Sequence, residues 1–312
     1  MTTRALVTGA GGFLGSHLYA RLSSLGWDVV GTARKPSDRS MLEADVMDKS
    51  RLREIAAQHL PQIVFHIAAL TPAAAPKAIL EDYLRVNVIG TTNVLDVVRE
   101  AAPNARVVLV TSSAMFGQTN APDGVIDETS PLNPVNPYGV SKAAQHHVGY
   151  QYTIQHKLDV IRVCPFNLIG YGLPLGLVAS DFARQIVAVE RGEQEPVIRV
   201  GDLSAKRDFL DVEDAVHALI ALVDKGILGE SYNLASGYAI PVADLLNKLI
   251  DLSSTTVTAE IFPNAVKNTV PIQIGSYAKL AAATGWQPQI SLEQSLANVL
   301  AYWRTVKNEE IV

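Results

Sequence analysis

Short apolar runs alternate with longer stretches in which apolar residues recur every three or four positions, and this alternation organises the first half of the chain. The run Arg4-Ala5-Leu6-Val7-Thr8 stops at glycines and predicts a strand; residues 14–25 carry helical spacing and end at Gly26. The same reading predicts strands over 28–31, 63–67, 106–110 and 159–163, with helices over 50–59, 83–101 and 138–156 between them. Strands separated by helices of this length need crossover connections, so the sheet is mostly parallel and covered on both faces. The fold class expected is α/β: a Rossmann-type doubly wound parallel sheet with a smaller C-terminal α/β substrate lobe.

Beyond residue 165 the pattern loosens. Glycine and proline punctuate 170–176, helices are predicted over 181–191 and 242–252, and short strands lie between. We therefore expect a dinucleotide-binding domain over 1–165, with a return segment near 207–235, and a mainly substrate-binding lobe over 166–312. A chain of 312 residues with 48% hydrophobic and 18% charged residues suits globular packing throughout. A net charge of −5 without a basic run argues against nucleic acid as a partner. Cys164 is the only cysteine, which leaves no intramolecular disulfide or cysteine-based metal site and reads as an apolar filler at a strand end. With no leader pattern and no apolar run long enough to span a bilayer, the expected location is cytoplasmic, with no membrane partner.

Gly9-Ala10-Gly11-Gly12-Phe13-Leu14-Gly15 follows the first strand and opens the first helix, the context a dinucleotide-binding turn requires. Glycines allow positive φ and let backbone N–H groups approach a pyrophosphate at the positive end of the helix. Gly9, Gly12, Phe13, Leu14 and Gly15 are accordingly expected at the cofactor. The spacing is Gly-x-x-Gly-x-x-Gly, and a turn that serves packing alone is the competing reading. After the second strand the chain reads Thr32-Ala33-Arg34-Lys35. An acid there would bind a ribose 2′-hydroxyl, whereas an arginine accommodates a 2′-phosphate, so NADP(H) is favoured over NAD(H), with Arg34 as the contact. Asp45-Val46 is positioned to bring a carboxylate near the adenine amino group.

The fourth predicted strand runs into Thr111-Ser112-Ser113, and Tyr138 and Lys142 stand at i, i+4 on one helix face. A free phenol titrates near 10, so exchange of its proton near neutrality calls for a neighbouring cation, which Lys142 and an oxidised nicotinamide can supply. A serine hydroxyl at the sheet edge can hold the same substrate oxygen. His66 has no other histidine or acid at ligand spacing and is read as a packed histidine without chemistry, so no metal is expected.

On these residues the sequence resembles the extended short-chain dehydrogenase/reductases over essentially its whole length. Six segments occur in the family's order: the glycine turn, Phe65-His66-Ile67-Ala68-Ala69, Asn87-Val88-Ile89-Gly90-Thr91, Thr111 to Gly117, Pro137-Tyr138-Gly139-Val140-Ser141-Lys142, and Arg207-Asp208-Phe209-Leu210-Asp211-Val212. The resemblance implies Ser112 as the catalytic hydroxyl beside Tyr138 and Lys142, with Ser113 the fallback or a substrate contact. It also implies that Ala68, Ala69 and Asn87 border the cofactor and that Pro165 lies near the nicotinamide. The family's sugar 4,6-dehydratases carry an acid where this chain has Ala114, so that elimination is not expected.

A narrower likeness is to the GDP-4-keto-6-deoxy-mannose reductases, through Phe166-Asn167-Leu168-Ile169-Gly170, residues 181–187 and residues 200–208. By that resemblance Asn167 contacts a sugar diphosphate and Arg184 and Arg207 balance its charge. One departure stands out: where the family has Arg-Pro-x-Glu or Arg-Pro-x-Asp, this chain reads Ala265-Val266-Lys267-Asn268, which keeps a cation in Lys267 and loses the acid. The expected activity is NADPH-dependent reduction of a keto sugar, a nucleotide-linked 4-keto-6-deoxyhexose. The alternatives are a nucleotide-sugar 4-epimerase with tightly bound NAD and a catalytically idle NADP(H)-binding regulatory protein. The family commonly dimerises through the helices predicted over 83–101 and 138–156, so a homodimer is expected.

Overall fold

The computed structural model describes residues 2–36, 40–119, 123–262 and 269–306. From the N-terminus, β1 (Arg4–Thr8) leads into α1 (Phe13–Ser24), followed by β2 (Asp28–Ala33), the short β3 (Leu42–Glu43), α2 (Lys49–His59) and β4 (Ile63–His66). Next, α3 (Leu80–Tyr83) runs through π-helical turns over Leu84–Ile89 into α4 (Gly90–Ala101), and β5 (Arg106–Val110) ends in a 3₁₀ turn at Ser113–Met115. Then come β6 (Val125–Ile126), the long α5 (Pro137–His156) and β7 (Asp159–Pro165). The single helix expected over 83–101 thus begins earlier and contains a widened segment, where one residue more per turn lets Asn87 face inward.

The second half adds β8 (Asn167–Ile169), α6 (Val178–Glu190), β9 (Val197–Val200), β10 (Lys206–Asp211), α7 (Val212–Lys225) and β11 (Ser231–Leu234). It continues with β12 (Ala239–Pro241), α8 (Val242–Asp251), β13 (Thr258–Ile261), β14 (Ile272–Gly275), α9 (Ala278–Thr284) and α10 (Leu292–Thr305).

A seven-stranded sheet in the order β11-β7-β5-β4-β1-β2-β3 is parallel throughout. Its apolar strands are covered on one face by Leu18 and Leu22 of α1 and Leu219 and Leu222 of α7, and on the other by Leu52 and Ile55 of α2 with Leu95 and Val98 of α4. Burial on both faces is why these strands lack the alternation of a half-exposed strand. The smaller lobe carries a mixed sheet, β12-β10-β14-β6, with β8 paired to β10, packed against α6, α8 and α10.

The two lobes exchange segments. β6, from the first half of the chain, pairs with β14, while β11 returns to the edge of the large sheet. Between them Met115, Phe116, Ile126, Cys164, Phe166 and Ala235 form a small apolar floor under the carboxyl ends of β5 and β7. Among the described residues no helix is long and apolar enough to cross a membrane.

Candidate active site

The sheet's strand order reverses between β1 and β4, and the crevice at their carboxyl ends is where open α/β sheets take ligands. Gly9 leaves β1 at φ +75°, and a Cβ there would stand 2.7 Å from the Ala68 nitrogen; a Cβ on Gly15 would stand 2.0 Å from the Gly9 oxygen. Only glycine lets the strand end and the helix start approach this closely. Gly12 caps α1 and, having no side chain, leaves the helix's first N–H groups, including those of Phe13 and Leu14, without a side-chain cap. Uncapped donors at the positive end of a twelve-residue helix fit a dinucleotide pyrophosphate.

Beyond β2, Arg34 lines a cleft of about 380 Å³ with Leu70, Lys77, Asp82 and Arg85. Asp82 is committed to capping α3, accepting from the Ile79 N–H at 3.0 Å. None of Arg34, Lys77 and Arg85 has a hydrogen bond or ion pair among the described residues. Asp45 turns one carboxylate oxygen onto the Met47 N–H at 2.9 Å, and Val46 is buried, its carbonyl accepting from Asn93 at 3.0 Å.

Asn136 caps α5 by accepting from the Gly139 N–H at 2.8 Å, and Pro137 follows at the first helical position. Such a cap is worth about 1 kcal/mol and fixes where the helix begins, hence where Tyr138 and Lys142 point. The Lys142 ammonium lies 5.9 Å from the Tyr138 ring centroid, and Tyr83 packs edge-on to the same ring at 5.9 Å. Ser112 ends the β5 segment in extended backbone; its Oγ accepts from the Ala114 N–H at 3.2 Å, and its hydroxyl lies near enough to the Tyr138 phenol to favour the ionised form. The structure therefore brings Ser112, Tyr138 and Lys142 together.

Burial dominates the electrostatics of Tyr138 and Lys142. Burial pushes the Tyr138 phenol up to about 12; the Ser112 hydroxyl opposes this and loses, while Cys164 and Tyr83 add to the rise. Burial pulls Lys142 down to about 7, with Cys164 acting weakly the other way. The Lys142 ammonium by itself does not offset the loss of solvation at the phenol.

Asn87 and Ser113 make their side-chain hydrogen bonds within the protein. Asn87 is wholly buried: its Oδ1 accepts from the Leu70 N–H at 2.7 Å, and its Nδ2 donates to the Leu70 carbonyl at 3.0 Å and to Ser141 Oγ at 2.9 Å. It clamps the segment that carries Ala68 and Ala69 rather than facing the crevice. Ser113 is also buried; its Oγ donates to Gln273 Oε1 at 3.4 Å, and Gln273 Nε2 donates to its carbonyl at 3.0 Å, so it ties the lobes together instead of facing the cleft.

Ala68 and Ala69 are half-exposed just past β4, and Pro165 ends β7 in the buried floor. Asn167 donates Nδ2 to the Asp208 carbonyl at 2.8 Å, on strands β8 and β10 that pair directly. Arg207 lies on β10, its pKa lowered by burial with Asp202 opposing; Arg184 is half-buried on α6. Lys267 lies outside the described residues. His66 is buried and held neutral, its pKa pushed to about 3 by burial and by Lys142. Among the described residues no three His, Cys, Asp or Glu side chains are grouped to hold a metal.

Sequence reading passed over Thr91, Gln145 and Gln273. Gln145 carried a signal, since it stands one turn after Lys142 on the inward face; Gln273 carried none, because it meets Ser113 across 160 residues.

Residues 5–235 match the NAD dependent epimerase/dehydratase family. The GDP-6-deoxy-D-mannose reductase of Pseudomonas aeruginosa is 31% identical over 99% of this chain and all of its own length. The UDP-glucose 4-epimerase of Mycolicibacterium smegmatis is 27% identical over 96% of this chain and 98% of its own. Among solved structures, that of RMD from Pseudomonas aeruginosa complexed with NADPH superposes with a TM-score of 0.87 at 31% identity, covering 98% of each chain. The UDP-glucose 4-epimerase of Thermotoga maritima with UDP-glucose superposes with a TM-score of 0.84 at 25% identity over 97% of this chain and 99% of its own. With a glycine turn, a serine, a tyrosine and a lysine set at one sheet edge, and with this likeness running from end to end, the chain belongs to the NAD dependent epimerase/dehydratase family and is an NAD(P)-dependent oxidoreductase.

Proposed function

We propose that the protein reduces a keto sugar with NADPH, the substrate being a nucleotide-linked 4-keto-6-deoxyhexose. The observation that carries this reading is the meeting of Ser112, Tyr138 and Lys142 beside a helix start without a side-chain cap. When bound, the nicotinamide supplies the hydride. Backbone N–H groups of Phe13 and Leu14 hold the pyrophosphate, Ala68, Ala69 and Pro165 line the cofactor, and Arg34 takes the 2′-phosphate with Lys77 and Arg85 close by.

Ser112 donates to the carbonyl oxygen and holds it against the phenol. Tyr138, kept protonated at neutral pH by burial, is in the state that reduction needs, because its proton must pass to the new alkoxide. Lys142 hydrogen-bonds the cofactor ribose and, when charged, favours release of that proton. Asn167, Arg184 and Arg207 face the sugar diphosphate. The full-length likeness to a GDP-6-deoxy-D-mannose reductase supports the choice of substrate class.

A 4-epimerase with tightly bound NAD is the second reading, supported by the similar UDP-glucose 4-epimerases. The three cations around the Arg34 cleft, unpaired among the described residues, favour the reductase, since NAD lacks the 2′-phosphate that NADP would offer them. An idle NADP(H)-binding protein would have no use for the three side chains at the sheet edge. The protein is further proposed to work as a cytoplasmic homodimer through the helical stretch 83–101 and α5, where Ile89, Val140 and Ile154 are exposed; a monomeric mass in light scattering would contradict the dimer. The test of function is absorbance of the purified protein for retained cofactor, then NADPH offered with a panel of 4-keto-6-deoxy nucleotide sugars. NADPH oxidation with one of them supports the reductase; stoichiometric bound NAD without net oxidation supports the epimerase.

A further inference from the structure

We propose that Gln145 is a positioning residue of this site: its side-chain oxygen fixes the Lys142 ammonium where a cofactor ribose must reach it, and a chain of buried hydrogen bonds that converges on Thr91 from β1 and from α5 dictates which way its amide faces. The inference rests on the functional reading above, which gives Lys142 the ribose.

The chain is solved from its most constrained member, Thr91 on α4. Its hydroxyl donates to the Asn87 carbonyl one turn back at 2.7 Å, so its only proton is used and its oxygen can only accept. Two nitrogen-bearing side chains meet that oxygen: Gln145 Nε2 at 2.8 Å and His66 Nε2 at 2.8 Å. His66 must therefore carry its proton on Nε2, which leaves Nδ1 to accept from Thr8 Oγ1 at 2.7 Å, at the end of β1. Gln145 must likewise turn its NH₂ toward Thr91, which leaves Oε1 to accept from Lys142 at 2.7 Å. A flipped amide would set NH₂ against the ammonium and a carbonyl against an oxygen without a proton. Thr8, His66, Thr91 and Gln145 are each 2% exposed or less, so no solvent relieves such a mismatch.

Lys142 depends on this orientation because it has little else. Among the described residues its only other hydrogen-bond partner is the Val110 carbonyl at 3.1 Å. The titratable groups that face it are Tyr138 on its own helix, Cys164 from β7 and His66 from β4. None carries negative charge at neutral pH: the phenol and the thiol are both pushed up by burial, and the imidazole is neutral. Two oxygen atoms, without a carboxylate, hold the ammonium in a site where burial already favours the neutral amine.

The test is the pH dependence of NADPH affinity, read by nucleotide fluorescence in the wild type, Gln145→Met and Gln145→Glu, with melting curves as a folding check and NADH titrated in parallel. Binding that needs charged Lys142 weakens by about tenfold per pH unit once that amine starts to lose its proton. Gln145→Met removes one acceptor and is expected to move the onset about one pH unit lower; Gln145→Glu keeps an acceptor, adds charge and is expected to move it higher. A change that is merely structural would alter the affinity without moving the onset in opposite directions. Coincident onsets in all three proteins would overturn the inference while leaving the functional reading intact, and if Gln145→Met fails to fold, the near-isosteric Gln145→Glu decides alone. A wild type that binds neither NADPH nor NADH would overturn the functional reading and this inference with it.

Discussion

On the dinucleotide side of the cleft, the groups that make the site are neighbours in the chain: a strand end, the turn Gly9 to Gly12 and a helix start at Phe13, and one further helix carries both Tyr138 and Lys142. On the substrate side, side chains are positioned by partners far away in sequence. Asn167 is held by Asp208 across 41 residues and Ser113 by Gln273 across 160, while β6 reaches into the smaller lobe to pair with β14. The contrast ties the chemistry to local geometry and the choice of substrate to long-range packing. Loops and lobe contacts can then vary without disturbing the reacting groups.

The largest effect should come from the local half. Tyr138→Phe removes the proton donor and is expected to lower kcat by about 10²–10⁴-fold, with NADPH affinity changed less than about threefold, as steady-state kinetics and fluorescence titration can establish. Gly15→Ala forces a Cβ to within 2.0 Å of the Gly9 oxygen, so the turn must open. Loss of NADPH binding by at least about tenfold is expected, with destabilisation of about 1–3 kcal/mol in denaturant melts. If that variant binds NADPH normally, the close approach of strand and helix is not what makes the site.

Lys142 offers a test through pH. Its pKa is pulled from the usual lysine range to about 7 by burial, so between those values the unfolded chain binds more protons than the folded one. Stability from this group is therefore present above the lysine range and is lost as pH falls toward 7. The stability of the wild type relative to Lys142→Met should rise between about pH 7 and pH 10, by an amount on the order of a few kcal/mol. A difference that is flat with pH would mean that Lys142 is solvated in the folded protein.

Smaller effects should mark the edges of the comparison. Arg34→Ala is expected to reduce the preference for NADPH over NADH by about ten- to a hundredfold, the worth of a charge-assisted phosphate contact, and to leave kcat with saturating cofactor nearly unchanged. An unchanged preference would assign the 2′-phosphate elsewhere. Gln273→Ala cuts the bond between the lobes at Ser113 and should raise the sugar substrate's KM by about threefold while NADPH affinity holds. An equal change in both would show that the lobes are not separable in function.

The same contrast explains what could be read before any coordinates. Gly9, Gly12 and Gly15 and the Tyr138–Lys142 pair were legible because strand ends, positive φ and i, i+4 spacing are local properties. The π-helical turns over Leu84–Ile89 were not: periodicity alone does not distinguish a widened turn, nor does it show that Asn87 is buried there. The bond that turns the Ser113 hydroxyl inward was not legible either, because its partner, Gln273, lies near the other end of the chain. The rise of the Tyr138 pKa was not legible for a related reason. A neighbouring lysine is visible in sequence, whereas the depth at which both groups are buried is set by Cys164, Tyr83 and the apolar floor.

The most direct test of the central claim follows the hydride. NADPH carrying deuterium at the transferable nicotinamide position is offered with a 4-keto-6-deoxy nucleotide sugar to the wild type and to Tyr138→Phe, and the sugar is analysed by mass spectrometry after a single turnover. The account predicts one deuterium per product alcohol from the wild type, with formation slowed by at least about a hundredfold in the variant. A sugar returned without deuterium while the nucleotide stays reduced, or equal transfer by both proteins, would contradict it.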